Sequence, residues 1–319
     1  MAIDVGFVKD KVESILEEDM KFYSGESSRV TEIIAAVIAG GHILMEDKPG
    51  VGKTFLAKVM AKSLGLSFSR VQFTPDLLPS DIIGTNVWRA SEGKFEVMFG
   101  PIFSNFVLAD EINRAPPKTQ SALLEAMEEL QVTIEGETHR LPSPFIVIAT
   151  QNPIEFEGTY PLPEAQMDRF MLKVSLGYPT PQLEEELLSR RVDWKTDDPT
   201  SFAHQVVSVD ELLAMRSFVE EGVRVDPDIM KYIASFRKLR DDERVVAGPS
   251  PRALISLLRM ARAMAVTEGR DYVIPDDAKA VAADVLGHRI VLKPELSLEG
   301  ELSGADLVNE YLEEIPVPK

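Results

Sequence analysis

The segment that decides the fold runs from His42 to Thr54 and has the sequence HILMEDKPGVGKT. Its first four residues, His42 to Met45, form an apolar run typical of a buried strand. A loop with two glycines follows, and a helical pattern begins at Lys53. Glycines between a strand and a helix let backbone N–H groups close on phosphate oxygens at the positive end of the helix. The segment therefore predicts a phosphate-binding loop between a strand and a helix.

The side chains of this loop have distinct predicted roles. Lys53 should reach the β- and γ-phosphates of a nucleotide, and the Thr54 hydroxyl should hold Mg²⁺. The predicted nucleotide contacts are consecutive in the chain: Pro49, Gly50, Val51, Gly52, Lys53, Thr54 and Phe55. Asp47 stands where the first Gly of the eight-residue motif is usual, so the bare pattern is not met. The interpretation therefore rests on the strand, loop and helix context.

From this loop to about Gly177, short apolar segments alternate with longer helical patterns, which predicts an α/β core with a five-stranded parallel sheet. The predicted strands are His42 to Met45, Phe68 to Gln72, Phe106 to Ala109, Phe145 to Ala149 and Phe170 to Val174. The predicted helices are Lys53 to Leu64, Pro117 to Leu130 and an amphipathic helix from Asp4 to Asp19 laid on this core. Val87 to Val97 and Val132 to Leu141 alternate with period two around Gly turns, which predicts two β-hairpin inserts.

Strand patterns end at Tyr178 to Pro181, and helical patterns dominate the rest of the chain. We predict helices at Val209 to Glu221, Asp226 to Arg240, Arg252 to Val266 and Asp276 to Leu286, and one at Ala305 to Glu314 in an acidic tail. The predicted division is therefore a nucleotide-binding core at 1–179 and an all-helical lid domain with an acidic tail at 180–319.

Two adjacent acids end the strand at Phe106 to Ala109. Neighbouring side chains at a strand end point in different directions, so they can serve different tasks. Asp110 is predicted to join the Mg²⁺ shell, and Glu111 is predicted to polarise the attacking water. The alternative is a solvated strand end without catalytic meaning.

Three further side chains complete the predicted site. Asn152 follows a buried strand and can hydrogen-bond both the γ-phosphate and the water, although Asn at a strand exit is also common for local reasons. Arg169 precedes the last strand and suits an arginine finger that acts on a neighbouring subunit. Arg252 begins a helix of the second domain and could contact the γ-phosphate from above. For both arginines, a surface ion pair is the alternative.

The composition excludes several classes of function. Acidic residues number 52 against 34 basic ones, and the formal charge of -18 repels nucleic acid and anionic membranes. The chain has no Cys, and its four His lack metal-ligand spacing, so zinc catalysis is not expected. The longest apolar stretch, Ile33 to Ala39, is far short of the ~20 residues of a membrane span. We therefore expect a cytoplasmic protein without membrane insertion or nucleic-acid binding.

The order of these elements resembles that of AAA+ ATPases, and several sequence segments closely resemble those of the MoxR family. The long segment from Ala109 to Gln120 is the most specific match, and Ala149 to Pro153 and Gly158 to Gln166 also match. Gly269 to Val273 matches in the second domain. The resemblance covers about Gly25 to Leu292, and Asp47 is a familiar variant within it.

The resemblance implies an ATP- and Mg²⁺-dependent ATPase that forms a homo-oligomeric ring, expected to be a hexamer, with a helical lid. It implies a chaperone-like role in maturing or activating partner complexes, with von Willebrand factor A domain proteins among the possible clients. It also implies that both hairpins touch the substrate, with Trp88, Phe95 and Phe99 as candidate contacts. Two other hypotheses stay open, a DNA-translocating relative and a nucleotide-switched scaffold that barely turns over.

Overall fold

The computed structural model describes residues 3–91, 93–153, 158–298 and 302–318. The strands, numbered along the chain, are β1 Ile43–Glu46, β2 Phe68–Gln72, β3 Gly84–Arg89, β4 Lys94–Phe99, β5 Phe106–Asp110, β6 Gln131–Ile134, β7 Glu137–Arg140, β8 Ile146–Gln151, β9 Leu172–Val174, β10 Val245–Ala247 and β11 Val291–Leu292. The helices are α1 Val5–Phe22, α2 Ser27–Ile38, α3 Lys53–Ser63, α4 Pro79–Ile83, α5 Pro117–Glu129, α6 Glu164–Met167, α7 Pro181–Trp194, α8 Val209–Ser217, α9 Pro227–Ser235, α10 Pro251–Thr267, α11 Pro275–Leu286, α12 Pro294–Leu298 and α13 Gly304–Glu314.

The central sheet has the strand order β2-β5-β8-β1-β9, and all its pairings are parallel. The five-stranded parallel sheet predicted from the sequence is thus confirmed. In β1, Ile43 and Met45 pack into the hydrophobic cluster on one face, and Leu44 packs into the cluster on the other. Both faces of the sheet are therefore covered, which is the usual condition for parallel strands and the reason that they are apolar throughout.

The two faces are covered by different parts of the chain. On one face, α1, α2 and α3 share a single buried cluster with α10 and α11 of the C-terminal part. On the other face, α5 packs with the segments around Phe73 and Ile102. The N-terminal helix α1, capped by Asp4 through a 2.8 Å bond from Phe7 N, contacts both α3 and α10. It therefore joins the core to the lid as well as lying on the core.

Both predicted hairpins are present. In the first, β3 and β4 pair antiparallel with Arg89 opposite Lys94; Glu92 in its turn lies outside the described residues. In the second, β6 and β7 place Ile134 opposite Glu137. Glu135 and Gly136 between them have φ values of +48° and +89°, the combination of a two-residue type I′ turn.

The C-terminal part is mainly helical, as predicted, but it is not all-helical because it also contains two short strands. Strands β10 and β11 form a short antiparallel pair in which Val245 lies opposite Leu292. Segments of two or three residues are too short to produce a period-two pattern, so the sequence did not indicate them. Among the described helices, none combines the length and apolar character needed to cross a bilayer.

Candidate functional site

The phosphate-loop segment lies between β1 and α3. Gly50 and Gly52 have φ values of +85° and +87°, in the left-handed region that favours Gly. A Cβ added at Gly50 would meet no atom within 4 Å, so the backbone conformation rather than crowding requires Gly there. Gly52 precedes α3 and provides no side-chain cap. The first N–H groups of this helix therefore keep their capacity to bind an anion.

Lys53 lies in the first turn of α3, and its ammonium turns back onto the loop. Its Nζ donates a 2.7 Å hydrogen bond to the backbone oxygen of Asp47. Burial lowers the pKa of Lys53, and the carboxylates of Asp47, Asp110 and Glu111 act in the opposite direction. The ammonium is thus placed where an incoming phosphate oxygen could replace a carbonyl oxygen as its partner.

Asp47, the residue that departs from the usual motif, has a structural role that the sequence did not indicate. Its carboxylate is buried and accepts hydrogen bonds from Ser175 Oγ at 2.7 Å, Leu176 N at 2.7 Å and Gly177 N at 3.1 Å. These residues lead from β9 towards α7. Asp47 therefore ties the start of the loop to the chain segment between β9 and α7.

Asp110 ends β5 and accepts hydrogen bonds from three directions. Its Oδ2 lies 3.3 Å from Thr54 Oγ1, and its Oδ1 accepts from Thr150 Oγ1 at 2.6 Å. Arg70 of β2 donates to Oδ2 through Nη2 at 2.6 Å and Nε at 3.0 Å. The carboxylate is only 10 % exposed, and a cationic group already occupies one of its sides.

Glu111 follows with φ +56°, an uncommon value for a residue other than Gly, so the chain turns sharply at the end of β5. Its Oε2 accepts from Gln72 Nε2 at 2.6 Å and pairs with Arg114 Nε at 3.2 Å. Its backbone N–H donates to Thr150 Oγ1 at 2.8 Å. Thr150 thus touches both acidic residues and holds them beside β8.

One pocket of about 350 Å³ brings most of the predicted residues together. Its lining residues come from the loop and from the ends of β5 and β8: Pro49, Gly50, Gly52, Lys53, Thr54, Phe55, Asp110, Glu111, Thr150 and Asn152. Thr150 is the member that was not predicted, although it lies in the same segment as Asn152. Val51 is buried and lines a neighbouring pocket instead.

That neighbouring pocket, of about 440 Å³, is more apolar and was not predicted. It shares Gly50, Gly52 and Phe55 with the first pocket, and adds Tyr23 after α1 and Leu188 and Trp194 of α7. Trp194 stacks on Phe22 with ring centroids 6.0 Å apart. An apolar, partly aromatic pocket next to a phosphate loop suits a planar base, and only the tertiary fold brings α1 and α7 together there.

Arg169 and Arg252 do not line either pocket in the described part of the chain. Both pair with Glu128, which lies in the last turn of α5: Arg252 Nη2 is 2.5 Å and Arg169 Nη2 is 3.1 Å from its carboxylate. The predicted contact of Arg252 with a γ-phosphate stays a prediction, and in this structure the guanidinium pairs with Glu128. At the start of α10, Ser250 Oγ donates to Asp168, next to Arg169, so this end of the helix also contacts the segment before β9.

Comparisons with known proteins agree with this geometry. The model of the ATPase family associated with various cellular activities (AAA) matches residues 42–172, and the AAA lid domain model matches residues 237–310. Chaperone MoxR1 of Mycobacterium tuberculosis is 43% identical over 319 residues, with 97% of this chain and 82% of that protein covered. This chain belongs to the MoxR family of AAA+ ATPases.

Two further matches extend over most of the chain. The uncharacterized protein YeaC of Bacillus subtilis is 47% identical, with 89% of this chain and 88% of that protein covered. A crystal structure of an ATPase candidate from Cytophaga hutchinsonii has a TM-score of 0.90 at 42% identity and covers 99% of this chain and 97% of that chain. Membership of this MoxR family of ATPases implies nucleotide binding and ATP hydrolysis.

Proposed function

We propose that this MoxR-family chain hydrolyses ATP at the joints between subunits of a ring, a hexamer, and uses the cycle to remodel, mature or activate a partner protein complex. In the reaction a water oxygen bonds to the γ-phosphorus. The bond from this phosphorus to the β,γ-bridging oxygen breaks, and ADP and phosphate leave. The chain is then a hydrolase acting on an acid anhydride.

The observation that carries this proposal is the separation of two sets of residues. Lys53, Asp110 and Glu111 converge on one pocket, whereas Arg169 and Arg252 meet at Glu128, outside that pocket. Transfer of a phosphoryl group needs positive charge on the γ-phosphate in the transition state, worth about 10³–10⁵ in rate when an arginine supplies it. A second copy of the chain could supply these arginines to the pocket of the first.

Within the pocket, each residue has a proposed role. The loop N–H groups and Lys53 bind the phosphates, and the apolar pocket at Tyr23 and Leu188 takes the base. Glu111 orients the water and accepts its proton, a contribution of about 10²–10⁴ in rate. Asn152 hydrogen-bonds the water or the γ-phosphate without changing charge.

The oxygen donors in the pocket fit Mg²⁺. Asp110 and Thr54 place a carboxylate and a hydroxyl 3.3 Å apart at its edge, and Mg²⁺ takes one or two such ligands with phosphate oxygens and water. The ion would neutralise charge on the phosphates when bound. Arg70 would then have to leave its present side of the Asp110 carboxylate.

The first hairpin is the proposed client contact. Trp88 and Phe95 are 52% and 66% exposed, and their rings meet edge to face with centroids 5.1 Å apart. Phe99, 56% exposed, packs against Phe103 at the base of the hairpin. Large exposed aromatic side chains commonly mark a surface that binds another protein. A von Willebrand factor A domain protein stays the proposed partner class.

We propose that the chain divides into a core at 1–179 and a lid at 180–319, which places Arg252 in the lid. Because Arg252 of the lid pairs with Glu128 of the core, we propose that it senses the nucleotide of the adjoining subunit rather than its own. Rotation about Tyr178 to Pro181 would then change the geometry of that joint.

Phosphate release from the purified chain tests the proposal. We expect Glu111→Gln to bind ATP and to hydrolyse it about 10²–10⁴-fold more slowly. Glu125→Gln, an exposed carboxylate on α5, is the control and should hydrolyse at the parental rate. If Glu111→Gln hydrolyses ATP at the parental rate, the proposed role of Glu111 in activating the water is wrong. Tight ATP binding without phosphate release by the parental chain would favour a nucleotide-switched scaffold.

A further inference from the structure

One carboxylate, that of Glu128, joins two arginines from different parts of the chain. Its Oε1 accepts from Arg252 Nη2 at 2.5 Å, and its Oε2 lies 3.1 Å from Arg169 Nη2. Arg169 comes from the segment between α6 and β9, and Arg252 comes from the first turn of α10. Each guanidinium uses a different oxygen, so both are held side by side.

The electrostatics of this cluster explain why a carboxylate is needed. Two guanidinium groups repel each other, and a negative charge between them offsets that repulsion. The hydrogen bond from Arg252 lowers the pKa of Glu128, and the charge of Arg169 acts in the same direction. Glu128 is therefore ionised at neutral pH, and the three groups together carry a net charge of about +1, the sum of two guanidiniums and one carboxylate.

The backbone around Glu128 is fixed by buried groups. His42 accepts a 3.0 Å hydrogen bond from Val147 N at Nδ1, so its Nε2 carries the proton and donates to Met127 O at 3.2 Å. Burial lowers the pKa of His42 to about 4, so the ring stays neutral in this role. Arg169 Nη1 also donates to Leu124 O at 2.5 Å. The last turn of α5 is thus a rigid base for the Glu128 side chain.

A second connection runs parallel to the first. Asp168 pairs with buried Arg289 at 2.9 Å and accepts from Ser250 Oγ at 3.1 Å. This connection sets how the start of α10 lies against the core, while the Glu128 carboxylate remains 34% exposed. Glu128 thus lies on the solvent side of the contact between α10 and the core. There it can orient the two guanidiniums without being needed to hold α10 against the core.

We propose that Glu128 is a positioning residue, which holds Arg169 and Arg252 as a converging pair that a neighbouring subunit's triphosphate meets. The inference rests on the proposed function and adds a residue to it. A phosphate, like a carboxylate, accepts parallel N–H donors from guanidinium groups, so a pair converging on a carboxylate is also arranged for a phosphate. Without the charge of Glu128 the two guanidiniums separate and no longer meet one phosphate together.

This role predicts a specific kinetic signature. Glu128→Gln should lower kcat at least tenfold and leave KM for ATP within about twofold, because ATP binds in a pocket to which Glu128 of the same subunit does not contribute. Glu128→Asp keeps the charge and should recover part of kcat. Glu129→Gln makes the same charge change at the next exposed position of α5 and should keep the parental rate.

Mixed rings locate the defect. Glu128→Gln subunits should be rescued by Lys53→Ala subunits, which lack a working pocket but keep the arginine pair, and should not be rescued by Arg169→Ala subunits. Rescue also demonstrates that the pocket of the Glu128→Gln subunit is intact.

Three results would overturn the inference. The first is a parental or increased kcat for Glu128→Gln, and the second is a raised KM as the main effect of this substitution. The third is that Lys53→Ala subunits rescue Arg169→Ala subunits but fail to rescue Glu128→Gln subunits. If Lys53→Ala subunits rescue neither variant, the site shared between subunits in the proposed function is wrong, and this inference is wrong with it.

Discussion

The substitution Asp47→Gly restores the usual phosphate-loop motif, yet the structure predicts that it destabilises the chain. The Asp47 carboxylate accepts three hydrogen bonds from Ser175, Leu176 and Gly177. Ser175 and Gly177 are exposed, so water can replace the carboxylate for them, but Leu176 is buried. An N–H group left buried without a partner costs about 1–3 kcal/mol, and Gly adds about 0.5–1 kcal/mol of backbone entropy.

The expected loss is therefore about 1.5–4 kcal/mol, and each kcal/mol lowers the melting temperature by about 1.5 °C in a chain of this size. Differential scanning calorimetry without nucleotide measures the stability, and titration with ADP measures the affinity. ADP affinity should fall as well, because the loop loses its connection to the segment after β9. Asp47→Asn, which keeps an acceptor oxygen, should lie between the parental chain and Asp47→Gly.

The opposite outcome is clear to recognise. If Asp47→Gly melts at the parental temperature, the three hydrogen bonds contribute nothing to stability. If it also binds ADP more tightly, the motif pattern rather than the observed contacts describes this loop.

Two further predictions concern α1 and α7. Burial raises the pKa of Asp19 from its ordinary 3.8 to about 8, so the folded chain holds a proton that the unfolded chain releases. Stability is then lost as pH rises towards 8, by up to about 1.4 kcal/mol per pH unit. The melting-temperature advantage of Asp19→Asn should therefore grow from pH 5 to pH 8, and an equal difference at both pH values would contradict this assignment. Leu188→Ala should weaken ADP binding about 5–10-fold through lost apolar contact, whereas Val192→Ala, on the same helix but outside the pocket lining, should not.

The sheet and the phosphate loop could be predicted because their signals are local. A buried parallel strand such as β5 is a continuous apolar run, and the loop glycines are needed at fixed places next to it. Both hairpins were predicted for the same reason, since alternation and a Gly turn lie within about ten residues. The catalytic roles of Glu111, Asn152 and the two arginines stay predictions, although the pocket brings the first two together.

Other features depend on contacts between distant parts of the chain. Tyr23 and Trp194 are far apart in sequence, and only the packing of α1 near α7 creates the apolar pocket. The position of Arg252 depends on where α10 begins relative to β9, which no periodicity indicates. The hydrogen bond from Arg70 to Asp110 arises because β2 and β5 pair in parallel, with Arg70 opposite Leu108 and Gln72 opposite Asp110. Such side-chain partners cannot be inferred from patterns that describe one element at a time.

Complementation between two inactive variants tests the central claim most directly, that one subunit supplies the pocket and its neighbour supplies Arg169. Lys53→Ala and Arg169→Ala are expressed with different affinity tags, and mixed rings are isolated by selecting for both. Each variant alone should release phosphate about 10³-fold or more slowly, but a random mixture should regain about a quarter of the parental rate, since one joint in four combines an intact pocket with an intact finger. Mixed rings no faster than the variants alone would contradict the account.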